Sequence, residues 1–104
     1  MSSMNVRREG QQGSRNNRDT VCFSVTAEAD PSVMSRVFGL FAKRGVMPER
    51  YHAQVSGDGE LHIDIQMAGL EDDEAEKYAQ SMRQVFCVER VLTSFKQIAE
   101  DAPA

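Results

Sequence analysis

His52 and His62 are the two histidines of this 104-residue chain, and they flank a turn-forming segment, SGDG, at 56–59. If the flanking segments pair as a hairpin, one register sets His52 opposite His62. The other register sets His52 opposite Asp64 and Gln54 opposite His62. Either arrangement could form an acid–base pair or part of a metal site. No third strong ligand accompanies them, so we expect no metal site and a sheet face covered by solvent or by a partner.

The two cysteines, Cys22 and Cys87, show none of the spacings typical of metal ligands. A catalytic thiol would need a neighbouring base, and the adjacent sequence offers none. Antiparallel pairing of their two strands would separate the residues by roughly 16 Å, which is too far for a disulfide. The sequence therefore predicts two small buried side chains and no catalytic residue.

Charge is spread unevenly along the chain. Residues 1–19 carry four arginines against two carboxylates, a net charge of +2, whereas the remainder carries eight basic and fourteen acidic residues, a net charge of −6. Nucleic-acid binding requires a cationic surface, so an acidic body disfavours it. The outward sheet face also lacks aromatic side chains on which bases could stack. We therefore expect no nucleic-acid partner.

The chain divides into three segments by composition. Residues 1–19 have few apolar side chains to bury and are predicted to form a disordered basic tail. Residues 20–95 form the predicted folded domain, and residues 96–104 a polar C-terminal tail. No apolar run approaches the ~20 residues needed to cross a membrane, and the N-terminus lacks the apolar segment of a secretory signal. A cytoplasmic protein without a membrane partner is expected.

Within residues 20–95, strand and helix patterns alternate. Apolar residues at every second position predict strands at 21–27, 47–55 and 60–67, and a weaker pattern predicts a fourth at 88–95. A helix is predicted from the Asp30–Pro31 pair, which suits an N-terminus, to the stop at Gly45. An apolar stripe predicts a second helix at 70–86, with Ala75, Tyr78, Ala79, Met82 and Phe86 on its buried face.

The element order is therefore β-α-β-β-α-β. Right-handed crossovers then give a four-stranded antiparallel sheet of order 4-1-3-2, with both helices on its apolar face. This is a ferredoxin-like α+β fold. The second strand lies at an edge, where Pro48 at the strand start would remove no needed hydrogen bond.

Asp30 to Gly45, DPSVMSRVFGLFAKRG, resembles the start of an ACT domain, and in particular that of the small regulatory subunit of acetolactate (acetohydroxyacid) synthase. That family has a helix of the form Arg-Val-x-Gly-Leu-Phe-x-Arg-Arg-Gly. The similarity extends over roughly residues 20–95 and includes MRQVFCVERV at 82–91. The matching positions of the first run are Pro31, Val33, Arg36, Val37, Gly39, Leu40, Phe41, Arg44 and Gly45.

The resemblance implies a non-catalytic, homodimeric regulatory subunit that binds and activates the large subunit of acetolactate synthase, in branched-chain amino-acid biosynthesis. Thiamine diphosphate, magnesium and FAD would belong to the large subunit, and this chain would hold no cofactor. The alternative is a free-standing amino-acid-binding ACT module that regulates another client. A small phosphatase on the same frame is disfavoured because EADPS, at 28–32, is acidic where an anion-binding loop would be cationic.

The resemblance also implies a branched-chain amino-acid effector site, formed by two loops at a dimer seam. Asp30 stands where the family has Asn, and Met47–Pro48 stands where it has Asn-Ile. An ionised Asp donates no hydrogen bond and repels a carboxylate, and Pro48 lacks an N–H. Weakened or absent valine feedback is therefore expected. The candidate effector-binding residues are Asp30, Ser32, Val33 and Met34 in the first loop, and Gly45, Val46, Met47 and Pro48 in the second.

Overall fold

The structure is a computed structural model, and it describes residues 20–96. The tails predicted at 1–19 and 96–104 lie outside the described residues except for Lys96, which belongs to the last strand. The elements are β1 (Thr20–Glu28), α1 (Pro31–Lys43), β2 (Arg50–Val55), β3 (Glu60–Ala68), α2 (Asp72–Arg83) and β4 (Val88–Lys96).

The four strands form one antiparallel sheet in the order β2-β3-β1-β4. This is the predicted order, so the predicted fold class is confirmed. At the centre of the sheet, Val25 of β1 pairs with Ile63 of β3 on one side and Val91 of β4 on the other. β2 and β4 are the edge strands, as each pairs with a single neighbour within the described sheet.

One face of the sheet and one face of each helix form a single buried core. The alternation in β1 and β3 and the helical spacing in α1 and α2 place the core residues where the sequence predicts them. The ring of Phe41 stacks on that of Tyr78 with 4.8 Å between centroids, and Phe23 lies 6.3 Å from Tyr78. Three aromatic rings therefore join β1, α1 and α2.

Both ends of α1 follow the sequence signals. Asp30 is the N-cap and Pro31 occupies the first helical turn. At the other end Gly45 has a φ of 73°, and its N–H donates to the carbonyl oxygen of Ala42. The N–H of Val46 donates to the carbonyl oxygen of Phe41. This pair of bonds is the Schellman motif, which needs a left-handed residue that glycine supplies without strain.

The second strand is shorter than the predicted 47–55, because β2 begins at Arg50. Pro48 is buried ahead of the strand, and pairing starts when the N–H of Glu49 donates to the carbonyl oxygen of Gln66. Pro48 is therefore tolerated because it precedes the ladder. Val55, predicted to face inward, is 56% exposed because it ends an edge strand.

The second helix ends earlier than predicted. α2 stops at Arg83, and the N–H groups of Gln84 and Val85 close a turn onto the carbonyl oxygens of Ser81 and Met82. The sequence predicts that Phe86 continues the buried stripe, but its side chain is 72% exposed. The helical spacing fails here because the chain must turn towards β4 before one more helical turn is complete.

Candidate functional site

The hairpin adopts the second of the two registers left open by the sequence. His52 lies opposite Asp64, and Gln54 lies opposite His62. Nε2 of His62 lies 3.2 Å from a carboxylate oxygen of Glu60, on the exposed face of the sheet. Among residues 20–96, no group of three or more His, Cys, Asp or Glu side chains could hold a metal ion.

The two cysteines are free thiols and half-buried, so the prediction of buried side chains is confirmed only in part. Cys22 lies on the outward face of β1, and Cys87 lies in the turn before β4. The Cys87 Sγ is 3.7 Å from Oε1 of Glu28. Partial burial, and then the negative charge of Glu28, raise the pKa of the Cys87 thiol. A raised pKa keeps this thiol protonated and therefore weakly nucleophilic.

The β1–α1 loop holds the first group of candidate effector residues. Oδ1 of Asp30 accepts hydrogen bonds from the backbone N–H of Ser32 at 2.9 Å and from its hydroxyl at 2.8 Å. These bonds from Ser32 lower the pKa of Asp30, with a smaller contribution from the charge of Arg36. Asp30 is therefore ionised at neutral pH and places a negative charge at the N-terminus of α1.

The backbone at this helix end is also occupied. Pro31 has no N–H, Ser32 donates to the Asp30 carboxylate, and the N–H of Val33 donates to the Asp30 carbonyl oxygen at 3.0 Å. Helix N-termini bind anions through free N–H groups of the first turn. Here the N–H groups of Ser32 and Val33 already donate to Asp30, the N-cap of the helix. The β1–α1 loop is therefore a poor site for the carboxylate of an amino acid.

A small apolar depression lies beside this loop. It has a volume of about 120 Å³, well below the several hundred cubic ångströms of a typical ligand pocket. Met34 and Val55 are partly exposed at its rim. An aliphatic side chain could rest there, but the depression would not enclose a whole amino acid. Its lining consists of Ala29, Asp30, Pro31, Met34, Val55 and Leu61.

The second group of candidate residues lies at the opposite end of α1. This helix has 13 residues, so the two loops are separated by about 20 Å within one chain. Gly45 and Val46 form the helix stop, and Met47 is 76% exposed. Val33 of the first group is fully buried in the core. One chain therefore does not bring the two groups together, and a joint site would need a second chain.

The residues of the Arg-Val-x-Gly-Leu-Phe run separate into two sets. Val37 and Phe41 are buried in the core, and the guanidinium carbon of Arg44 lies 5.1 Å from the centroid of the Tyr78 ring. Leu40 is half-buried and packs against the core, and together with Arg36 and Gly39 it lines an open groove between α1 and α2. Sequence reasoning missed this groove because it assigned Phe86, another lining residue, to the buried stripe.

The βαββαβ order and the order of the strands in the sheet define a small ferredoxin-like module. The chain belongs to the ACT-like domain family, whose model matches residues 14–100. Among solved structures, it is similar to the C-terminal domain of the MgtC protein from Mycobacterium tuberculosis. The identity is 11%, the TM-score is 0.62, and the match covers 80% of this chain and 93% of the other.

The identity with the MgtC domain is too low to carry more than the fold. No curated protein sequence matches the chain. Neither α1 nor α2, the helices of the described part of the chain, is long and apolar enough to cross a membrane.

Proposed function

We propose that this chain is a cytoplasmic, non-catalytic regulatory subunit that binds and activates the catalytic subunit of acetolactate synthase. The observation that carries the proposal is the run from Arg36 to Gly45, which resembles the regulatory subunits of that enzyme. Membership of the ACT-like domain family is consistent with a regulatory, non-catalytic role. Thiamine diphosphate, magnesium and FAD would be bound by the catalytic subunit.

A homodimer is part of this proposal. β2 is an edge strand, and edge strands present unpaired backbone groups that can pair with another chain. Met34 and Val55 add partly exposed apolar surface near the end of this edge. The two loops at the ends of α1 would each need a loop from a second chain to form a joint effector site.

Weak or absent valine feedback is also proposed, and the cap at the start of α1 supports it. The ionised carboxylate of Asp30 occupies the helix N-terminus where the carboxylate of an effector would need positive potential. At the second loop, Met47 and Pro48 offer neither a side-chain amide nor, at Pro48, a backbone N–H. The chemistry needed to hold an amino acid is therefore depleted in both loops.

The alternative is a free-standing amino-acid-binding module with another client. The apolar depression beside Pro31 and Met34 favours it, because an aliphatic side chain could rest there. Thermal unfolding in the presence of each common amino acid tests this alternative. A ligand present at 100 times its Kd should add about 2.7 kcal/mol to the free energy of unfolding.

The direct test mixes the purified full chain with the acetolactate synthase catalytic subunit encoded in the same genome. We expect a complex by size-exclusion chromatography and a higher rate of acetolactate formation from pyruvate. Added valine should change this rate little. A catalytic subunit that neither binds the chain nor changes its rate would overturn the proposal. A rate strongly inhibited by valine would overturn the feedback part alone.

A further inference from the structure

An open groove runs between the two helices on the side away from the sheet, and we call it the α1–α2 groove. Its volume is about 560 Å³, within the range of sites that bind ligands or peptide segments. It lies outside both loops of the candidate effector site. The lining residues are Ser35, Arg36, Gly39, Leu40 and Lys43 from α1, and Ser81, Gln84, Val85 and Phe86 from the end of α2 and the following turn.

The apolar part of the α1–α2 groove centres on Phe86, which is 72% exposed. Its position is fixed by the backbone, because the N–H groups of Gln84, Val85 and Val88 all donate to carbonyl oxygens within this turn or the last turn of α2. Leu40 and Val85 are half-buried beside it. Phe86, Leu40 and Val85 together form an apolar patch, and aromatic side chains are enriched in the surfaces that partners cover.

Gly39 is the second unusual residue of the groove. It lies inside α1, where glycine is less stable than alanine. A Cβ atom built at this position would meet nothing within 4 Å, so packing within the chain does not require glycine. The missing side chain instead leaves the helix backbone open for close approach by another chain.

The charge of the groove indicates what kind of segment it fits. Arg36 and Lys43 are its charged residues, and no carboxylate lines it. Neither cation forms a close ion pair with any residue between 20 and 96, although the charge of Arg36 also acts on Asp30. A second copy docked groove to groove by two-fold symmetry would bring cations against cations, which is unfavourable. An acidic segment of a different chain is the complementary occupant.

We propose that the α1–α2 groove docks an acidic segment of the catalytic subunit that carries one large apolar side chain. The apolar side chain packs against Phe86 and Leu40, the segment's backbone approaches Gly39, and its carboxylates lie opposite Arg36 and Lys43. This inference rests on the proposed function and names the surface by which activation occurs.

The experiment compares the Kd of the catalytic subunit for the full chain and its variants. Lys43→Glu reverses one positive charge of the groove, and Gly39→Gln covers the open helix backbone. Phe86→Ser removes the exposed aromatic ring. Lys77→Glu is the matched control, because it makes the same charge change at an exposed position of α2 outside the groove. We expect the three groove variants to raise the Kd at least about tenfold. Lys77→Glu should stay within about twofold of the unmodified chain, as expected for a charge outside the interface.

Thermal unfolding of every variant separates lost binding from lost folding. Lys43 and Phe86 are exposed, and a side chain at position 39 would meet nothing within 4 Å. The Tm of each variant should therefore lie within a few degrees of that of the original chain. If the unmodified chain does not bind, both the proposed function and the groove are overturned. If it binds and the groove variants bind equally well, the groove alone is overturned. An equal loss with Lys77→Glu would show a general charge effect and would also overturn the groove.

Discussion

The hydroxyl of Tyr51 donates a hydrogen bond to the carbonyl oxygen of Met34, with 2.9 Å between the two oxygen atoms. The same ring meets that of Phe38 edge-on, with 5.2 Å between centroids. β2 is an edge strand that pairs only with β3 within the described sheet. These two contacts therefore attach the edge strand directly to α1, alongside the hydrogen bonds of the sheet.

Tyr51→Phe tests this attachment. The variant keeps the ring contact with Phe38 and loses the hydrogen bond, so we expect the free energy of unfolding to fall by about 1 kcal/mol at neutral pH. Urea denaturation at pH 8 measures the difference. A variant as stable as the original chain would show that the bond contributes nothing.

The pH dependence of this difference has a definite sign. Burial raises the pKa of Tyr51 to about 12, whereas an unfolded tyrosine has a pKa of about 10. Between these values the folded chain retains a proton that the unfolded chain releases, so stability falls as the pH rises. The stabilisation by this group is complete below pH ~10 and is lost towards pH ~12. Tyr51→Phe should therefore show a shallower loss of stability between these pH values.

Much of the fold could be predicted because the core obeys simple periodicities. Phe23 and Val25 follow the period of two in β1, and Val37 and Phe41 follow the helical period in α1. Phe86 shows the limit, because periodicity does not indicate where a helix must turn to reach the next strand. Met47 shows another limit, since the residues between a helix stop and the first ladder hydrogen bond carry no pattern.

The candidate site was less predictable. The N-cap at Asp30 and the stop at Gly45 are local signals, and both appear in the structure as the sequence indicates. The distance between the two loops is set by the length of α1, which joins them. A joint effector site would need a second chain, which no local pattern in one sequence describes. The α1–α2 groove needs the packing of α1 against α2, which no local pattern describes.

Gly45→Ala tests the helix stop. Gly45 has a φ of 73°, and alanine in this left-handed conformation is less stable by about 1–2 kcal/mol. Gly57→Ala is the matched control, because a Cβ at Gly57 also meets nothing within 4 Å and its φ lies outside the positive range. We expect a lower denaturation midpoint for Gly45→Ala only. Equal midpoints for the two variants would contradict the assignment of the stop to Gly45.

Arg44→Ala tests the contact between the end of α1 and α2. The guanidinium of Arg44 lies over the ring of Tyr78, which also stacks on Phe41. A cation–π contact at a surface position contributes about 0.5–1 kcal/mol, so Arg44→Ala should lower the free energy of unfolding by that amount. Lys43→Ala, one position earlier and also exposed, is the control and should lower the free energy of unfolding by less than Arg44→Ala does. A larger loss at Lys43 would rule out a special role for Arg44.

Asp30→Asn separates the cap of α1 from its charge. Asn is as good an N-cap as Asp, so the fold should keep its stability at neutral pH, whereas Asp30→Ala should lower the Tm by several degrees. Because the hydrogen bonds from Ser32 lower the pKa of Asp30, the carboxylate stabilises the fold at a pH above its ordinary pKa. That stabilisation is lost as the pH falls through the lowered value. The free energy of unfolding of Asp30→Asn should therefore fall less steeply than that of the original chain as the pH is lowered into the acid range.

The same variant tests why valine feedback is expected to be weak. Removing the negative charge at the N-terminus of α1 removes the repulsion of an effector's carboxylate and supplies an amide that can donate. We therefore expect Asp30→Asn to bind valine more tightly than the original chain does, as measured by isothermal titration calorimetry with residues 1–104. Asp58→Asn is the matched control, since its carboxylate lies in the β2–β3 turn. If Asp30→Asn binds valine no better than Asp58→Asn does, the charge of Asp30 is not what weakens the site, and Met47 and Pro48 become the residues to change.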